Sequence, residues 1–360
     1  MKIPINIPDI DDEEIRAVRH VLSEKSLTSS SFDGGVHVQQ FEKLVSKFVK
    51  SKFTIAVNSG TSALQACLYA LDIKSGDEVL VPSFTFVATA NSVKAVGAKP
   101  VFVDILRENY TMDPDDLRKK VTKRTKAIIP VHLYGHVAYM EEIIEVAKKN
   151  NLKIIEDASQ SLGSKLKQKH SGTFSHLGCF SFYGTKVMTS GEGGAIVTDK
   201  KNLCEKLKQI RNHGYTKNNL MTRLGLNLRL SEINAVIGKI QMKKLPSFLI
   251  QRRKNAKILT ELLQNCDVVL PKQRKHETLN WYLYTIAHKN RNKVMRKLNS
   301  LGIGATVYYS TSIHKTPYYK TKKKLPNTEW ASSHLLCLPI HPKVRASDLE
   351  KMQRVLGNKK

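Results

Sequence analysis

The sequence predicts an α/β protein: a large domain of mostly parallel sheet between helices at residues 1–240, and a smaller C-terminal α/β domain at 241–360. Three observations predict it. Up to about residue 200, short β-branched runs alternate with amphipathic helical patterns. Most of those runs are nearly all apolar, as strands buried on both faces must be. From Ser231 onward the alternation gives way to long helical stretches with a few short strands. Strand–helix–strand alternation builds a sheet covered by helices on both sides.

Seven strands are expected, at 54–57, 78–81, 100–103, 127–131, 153–156, 179–182 and 195–198. Between many of them, apolar residues recurring every three to four positions mark helices, as at 61–71, 139–150 and 202–211. A long helix begins at Ser231 and is expected to break at Pro246, which lacks an N–H and crowds the preceding turn. A second helix follows at 248–264. Strands at 283–287 and 305–309 and helices at 293–301 and 347–356 complete the smaller domain. There is no internal repeat and no low-complexity segment.

Hydrophobic residues make up 41% of the 360 positions and charged residues 25%, ordinary for a soluble globular protein. No apolar run approaches the ~20 residues of a membrane helix. The first residues contain no apolar signal region. Five cysteines, an odd number with no CxxC pair, argue against a disulfide framework and a structural zinc site. They suit a reducing, cytoplasmic setting. The net charge of +28 admits nucleic acid, an anionic membrane or a polyanionic substrate as partner. The basic residues are spread along the whole chain, however, and only 315–324 is dense. Two tyrosines there could stack on bases, but no nucleic-acid-binding motif accompanies them. The charge therefore reads as a solvated lysine coat, with neither nucleic acid nor membrane as partner.

In an open α/β sheet, ligands bind beyond the carboxyl ends of the strands. Three segments there carry chemistry. Residues 58–64 follow the first strand and open a helix. Small residues and free N–H groups at a helix start suit phosphate, although the same string also reads as a plain N-cap. Asp157 lies at the end of the fifth strand. There it is either a turn former or the partner of a cation. Lys186 follows the strand at 179–182 and precedes the Gly-rich stretch 190–194. Between two buried strands an unpaired ammonium is costly. The cost falls if the lysine is joined as an imine to a cofactor aldehyde. His132 and His136, four apart, have metal-like spacing but span a strand end and a loop. They read as walls of the crevice, and no metal is expected.

Together with 76–90, 122–135, 211–214 and 225–229, these segments resemble the DegT/DnrJ/EryC1/StrS family of sugar aminotransferases. That family is a branch of the fold-type-I enzymes that use pyridoxal 5'-phosphate (PLP). The resemblance runs from the start of the chain to about residue 345. It implies that Lys186 forms the Schiff base with PLP and that Asp157 pairs with the pyridinium nitrogen. Gln160 would contact the 3-hydroxyl edge of the ring, and Phe86 would stack on its face, with core packing as the other reading of Phe86. Thr61 and Ser62 would give backbone donors to the phosphate, and Ser181 a hydroxyl. Asn227 would reach the phosphate of the neighbouring subunit in a homodimer with composite sites. The activity implied is ping-pong transfer of an amino group from L-glutamate or glutamine to a nucleotide-linked keto-sugar. Relatives that dehydrate sugars carry histidine in place of the lysine, so Lys186 speaks against that branch. The alternatives are an aminotransferase acting on a cyclitol or other non-nucleotide ketone, and a non-catalytic PLP-binding or nucleic-acid-binding regulator. The chain departs from the family at 26–35, near the substrate, which leaves the sugar open. His314 is assigned as a substrate contact, with a surface histidine as the other reading.

Overall fold

The computed structural model describes residues 2–357. Twelve strands are present among them. β1 (Phe53–Val57), β2 (Glu78–Pro82), β3 (Lys99–Val103), β4 (Thr125–Ile128) and β5 (Lys153–Asp157) come first, separated by helices. Two short strands, β6 (Lys165–Leu166) and β7 (Lys169–His170), precede β8 (Leu177–Ser181) and β9 (Gly194–Thr198). The C-terminal part adds β10 (Glu277–Thr278), β11 (Tyr284–Ala287) and β12 (Leu335–Leu338).

Seven strands form one sheet in the order β1-β9-β8-β5-β4-β2-β3. Pairings from β8 across to β3 are parallel, while β9 runs antiparallel to both β8 and β1. The expected mostly parallel sheet is therefore present, with one reversed strand. β2 and β9 are buried along their whole length, which explains their unbroken apolar runs: neither face meets water. All seven carboxyl-end segments except that of β9 open toward the same edge, because only β9 is reversed.

The helix expected to break at Pro246 does not break. Glu232–Leu263 is one helix of 32 residues with Pro246 inside it. Proline removes one intrahelical bond, but tertiary packing outweighs that local loss. The helices Asp12–Ser23, Val36–Val49 and Ala346–Leu356 all pack on this one. Buried residues recur along it from Ala235 to Leu263, and Ser231 caps its start by accepting from the Asn234 amide. The boundary expected at residue 240 falls inside this helix. The expected strand at 305–309 is likewise reduced to an isolated bridge between Thr306 and Cys337.

The N-terminal residues do not stay with the large sheet. Ile3 pairs in a parallel bridge with Ile303 and is buried with Leu298 and Leu336. From there the chain passes Asn6 against the loop that carries Lys186. All five cysteines are buried, and no disulfide forms among the described residues. No helix among the described residues is long and apolar enough to cross a membrane.

Candidate active site

A cavity of about 370 Å³ opens at the carboxyl ends of β1, β5 and β8. Its floor is built by three short sequence segments.

The first is the turn after β1. Ser59 caps the helix Gly60–Ala70, its Oγ accepting from the Ser62 amide at 3.1 Å. The amides of Gly60 and Thr61 lie in the first turn, where no carbonyl four residues earlier exists within the helix. Gly60 is required by space. A Cβ there would come 2.9 Å from Cβ of Ser181 and 3.3 Å from Oγ of Ser159. Two hydroxyls and the first-turn amides thus surround a pocket that only glycine keeps open, a concavity suited to a phosphate.

The second segment is the end of β5. Asp157 is 5% exposed. Its Oδ2 accepts from the Thr89 hydroxyl at 2.9 Å and its Oδ1 from the Ser159 amide at 3.2 Å. Among the described residues its carboxylate meets no cation. Gln160 is also buried. Its carbonyl accepts from the Tyr134 amide at 3.0 Å, and its Nε2 donates to the Tyr309 hydroxyl at 2.8 Å. Burial pushes the Tyr309 hydroxyl far above the ordinary tyrosine range, so it stays protonated at neutral pH.

The third segment is the loop after β8. It carries Lys186, whose Nζ lies 4.9 Å from the centre of the Tyr282 ring. Tyr282 is buried, and its hydroxyl lies 3.3 Å from Thr185 Oγ1. Phe86 hangs over the opening with 59% of its surface exposed. An aromatic ring so exposed is not packing the core, so that reading of Phe86 falls.

Of the residues singled out in the sequence, Thr61, Phe86, Asp157, Gln160, Ser181 and Lys186 line this one cavity. Ser62 does not line it: its amide is taken by Ser59 and its hydroxyl donates to Asn58 Oδ1 at 2.6 Å. Asn227 is exposed and lies outside the cavity of its own chain.

Three histidine readings are corrected. His314 is wholly buried, neither a surface residue nor in the cavity wall. Its Nδ1 is 2.7 Å from Ser83 Oγ and its Nε2 is 3.4 Å from Glu329, so both ring nitrogens already have partners. His132 and His136 are not crevice walls either. His132 Nδ1 accepts from the Ala138 amide, which leaves Nε2–H to donate to Glu156 at 2.9 Å. His136 is buried 3.8 Å from Glu277. Neither lines the cavity, and His132 braces Glu156, the residue before Asp157.

Sequence reasoning missed Thr89, Ser159, Tyr282, Tyr308 and Tyr309, which also line the cavity. Thr89 and Ser159 lie within segments already noted. Their role is visible only once β2 and β5 are placed side by side with β4 between them. The tyrosines come from the C-terminal third of the chain and carried no signal beyond an adjacent aromatic pair.

Comparison with known proteins agrees with this geometry. Residues 8–357 match the DegT/DnrJ/EryC1/StrS aminotransferase family. A UDP-N-acetyl-3-dehydro-alpha-D-glucosamine 3-aminotransferase of Acidithiobacillus ferrooxidans is 36% identical, covering 92% of this chain and 91% of its own. A pleiotropic regulatory protein of Geobacillus stearothermophilus is 35% identical over 95% of both chains. GDP-perosamine synthase of Escherichia coli O157:H7 is 34% identical over 94% and 93%. Among solved structures, an aminotransferase of the same family from Brucella abortus superposes with a TM-score of 0.91 at 33% identity, covering 96% and 94%. A Streptococcus pneumoniae chain solved in its PLP form gives a TM-score of 0.90 at 25% identity, covering 99% and 100%. With the fold, the cavity and a match running over nearly its whole length, the chain belongs to the DegT/DnrJ/EryC1/StrS family of aminotransferases.

Proposed function

We propose that this enzyme uses PLP held by Lys186 to move an amino group from L-glutamate or glutamine to a nucleotide-linked keto-sugar. The observation that carries the reading is the meeting of Lys186, Asp157, Gln160, Ser181, Thr61 and Phe86 in one cavity. The residues fit the cofactor on two counts. The concavity kept open by Gly60 suits its phosphate. A buried carboxylate without a cation at Asp157 suits its protonated ring nitrogen. When bound, PLP supplies an electron sink for the carbanion left as an α-proton departs.

The chain supplies the rest. Asp157, fixed by Thr89 and Ser159, keeps the ring nitrogen protonated. Gln160 would contact the ring's hydroxyl edge through its remaining Nε2 hydrogen, and Phe86 would cover the ring face. Gly60, Thr61, Ser181 and the unforeseen Ser159 would hold the phosphate. Lys186 Nζ takes the α-proton of the amino donor and later returns it, as general base and then general acid. Tyr282 and Tyr308 keep water from that amine. Because the donor's keto acid leaves before the sugar enters, the kinetics are ping-pong.

Relatives whose names specify UDP- and GDP-linked sugars support the substrate class. The regulator reading finds a namesake among the relatives, but a pure binder would have no use for an amine together with a buried carboxylate in one cavity. Buried cysteines without a disulfide among the described residues suit the cytoplasm. A homodimer is supported by the apolar surface beside Asn227, where Leu220, Met221 and Leu224 are each more than 60% exposed.

The deciding experiment is borohydride reduction of the purified yellow protein followed by peptide mapping. The expected result is a pyridoxyl group on Lys186. A label on another lysine, or none, ends this assignment.

A further inference from the structure

Arg252 is 2% exposed, in the middle of the long helix Glu232–Leu263, yet it forms no ion pair among the described residues. A buried cation without a carboxylate is expensive unless its hydrogens are well used. Three bonds use its two Nη groups, while Nε finds no partner among the described residues, and Asn6 adds two bonds of its own. Arg252 Nη1 donates to the carbonyls of Trp281 at 3.2 Å and Tyr282 at 3.1 Å. Nη2 donates to Asn6 Oδ1 at 2.6 Å. Asn6 Nδ2 in turn donates to the carbonyls of Thr185 at 2.7 Å and Lys186 at 3.2 Å. The orientation of the Asn6 amide follows from its partners: only an oxygen can face the guanidinium, and only an NH2 can face two carbonyls.

The two arms of this arrangement end on either side of the reactive amine. One arm, through Asn6, grips the backbone of Lys186. The other grips the backbone of Tyr282, whose ring lies beneath Lys186 Nζ. Trp281, whose own carbonyl is one of the two gripped by that arm, has φ of +50°, a conformation that a bulky residue adopts only when its surroundings impose it. The planar guanidinium, with donors fixed at set angles, suits this task better than an ammonium.

We propose that Arg252 and Asn6 form a clamp that positions Lys186 over Tyr282, so that the first residues of the chain belong to the catalytic apparatus. Neither residue touches the cavity; both act through Lys186 and Tyr282 and are positioning residues. A charged group was chosen because bonds from a cation to carbonyls are stronger than neutral ones. The burial that makes it costly also pulls the guanidinium pKa down to about 10, still above neutrality, so the clamp stays charged while the enzyme works. The proposal rests on Lys186 being the cofactor-bearing lysine.

The variants are Asn6→Ala, Arg252→Lys and their combination, each compared with wild type as the PLP-loaded enzyme. Three readouts are needed: the half-reaction with L-glutamate followed in the visible spectrum, circular dichroism of the bound cofactor, and borohydride labelling of Lys186. Loss of alignment is expected to slow the half-reaction by about ten- to a hundredfold, with little change in KM, and to weaken the visible dichroic band. Lysine keeps the charge but not the fork, so Arg252→Lys should resemble Asn6→Ala. The double variant should be no worse than either single one, because both cut the same link. Asn6 lies near the surface, so its variant is expected to fold even if Arg252→Lys does not. A lowered melting temperature in Asn6→Ala with unchanged dichroism and half-reaction rate makes the contacts merely structural and overturns the proposal. So does strict additivity in the double variant. If wild type itself carries no pyridoxyl group on Lys186, the site assignment has failed instead, and with it the object of the clamp.

Discussion

Asp157 is where a single atom decides the chemistry. A carboxylate there can face a protonated ring nitrogen; an amide of the same shape cannot hold that proton. Asp157→Asn is therefore expected to leave PLP binding measurable and to lower transamination by more than about a hundredfold. A charge-assisted hydrogen bond is worth ~1.5–3 kcal/mol in the ground state, and the need for it grows as carbanion character builds toward the transition state. Steady-state rates together with a PLP titration check this, and near-normal turnover would rule out the role. Asp157 was legible from its place after an apolar run. Ser159, two residues on, was not, because a serine in a turn has many local uses and only the approach of Gly60 brings this one to the cavity. His314 misled for the opposite reason: its neighbours resembled a substrate-side segment, but its side chain turned inward to Ser83.

At the scale of elements, the start of the helix Gly60–Ala70 is the proposed phosphate site, and its first residue has no room for a side chain. Alanine is a better helix former than glycine by about 1 kcal/mol in a helix interior. Gly60→Ala should therefore keep the helix while its methyl group presses on Ser181. The expected outcome is a folded protein that binds PLP about tenfold more weakly, a cost of ~1.4 kcal/mol, measured by fluorescence titration of the apoprotein. Binding equal to wild type would place the phosphate elsewhere. The long helix teaches a different lesson. Pro246 is a sound breaker signal read locally, but three helices pack along Glu232–Leu263 and keep it one helix through the proline. Propensity is a weak prior where packing is extensive.

For the whole molecule, the position of Asn227 outside its own cavity bears on assembly. If the asparagine serves a neighbour, two inactive variants, Lys186→Ala and Asn227→Asp, should complement. A mixed dimer would carry both defects in one site and neither in the other. Mixing is expected to recover about a quarter of wild-type activity, since roughly half the dimers are mixed with one good site each. No recovery despite demonstrated subunit exchange would confine Asn227 to its own chain. Stability should depend on pH through buried groups. Burial lowers His170 and His341 to about 4 from an ordinary 6.5. Burial would raise Glu78, but Thr122, Arg124 and Lys99 outweigh it and hold that carboxyl at about 2. In each case the folded pKa is depressed, so the unfolded chain takes up protons first as pH falls. Stability is full above about pH 6.5, falls toward pH 4 as the unfolded histidines charge, and falls further below 4.5 as Glu78 loses its advantage. Each histidine contributes up to ~3 kcal/mol. Urea unfolding at pH 7.5 and 5.0 should show a clearly lower midpoint at the acid value, and equal midpoints would contradict it.

By itself the sequence determined most of the sheet, the family and six residues that line the cavity, because these are local matters. A strand buried on both faces must be apolar over consecutive positions, a phosphate-binding helix start must be small, and a lysine between buried strands needs a reason to be there. Only the tertiary structure decided how distant segments converge. It placed Ser159 against Gly60, brought Tyr282, Tyr308 and Tyr309 to the cavity from the C-terminal third, and joined Asn6 to Arg252 across 246 positions. Such contacts leave no periodicity, because each arises from packing that brings together residues with no fixed spacing between them.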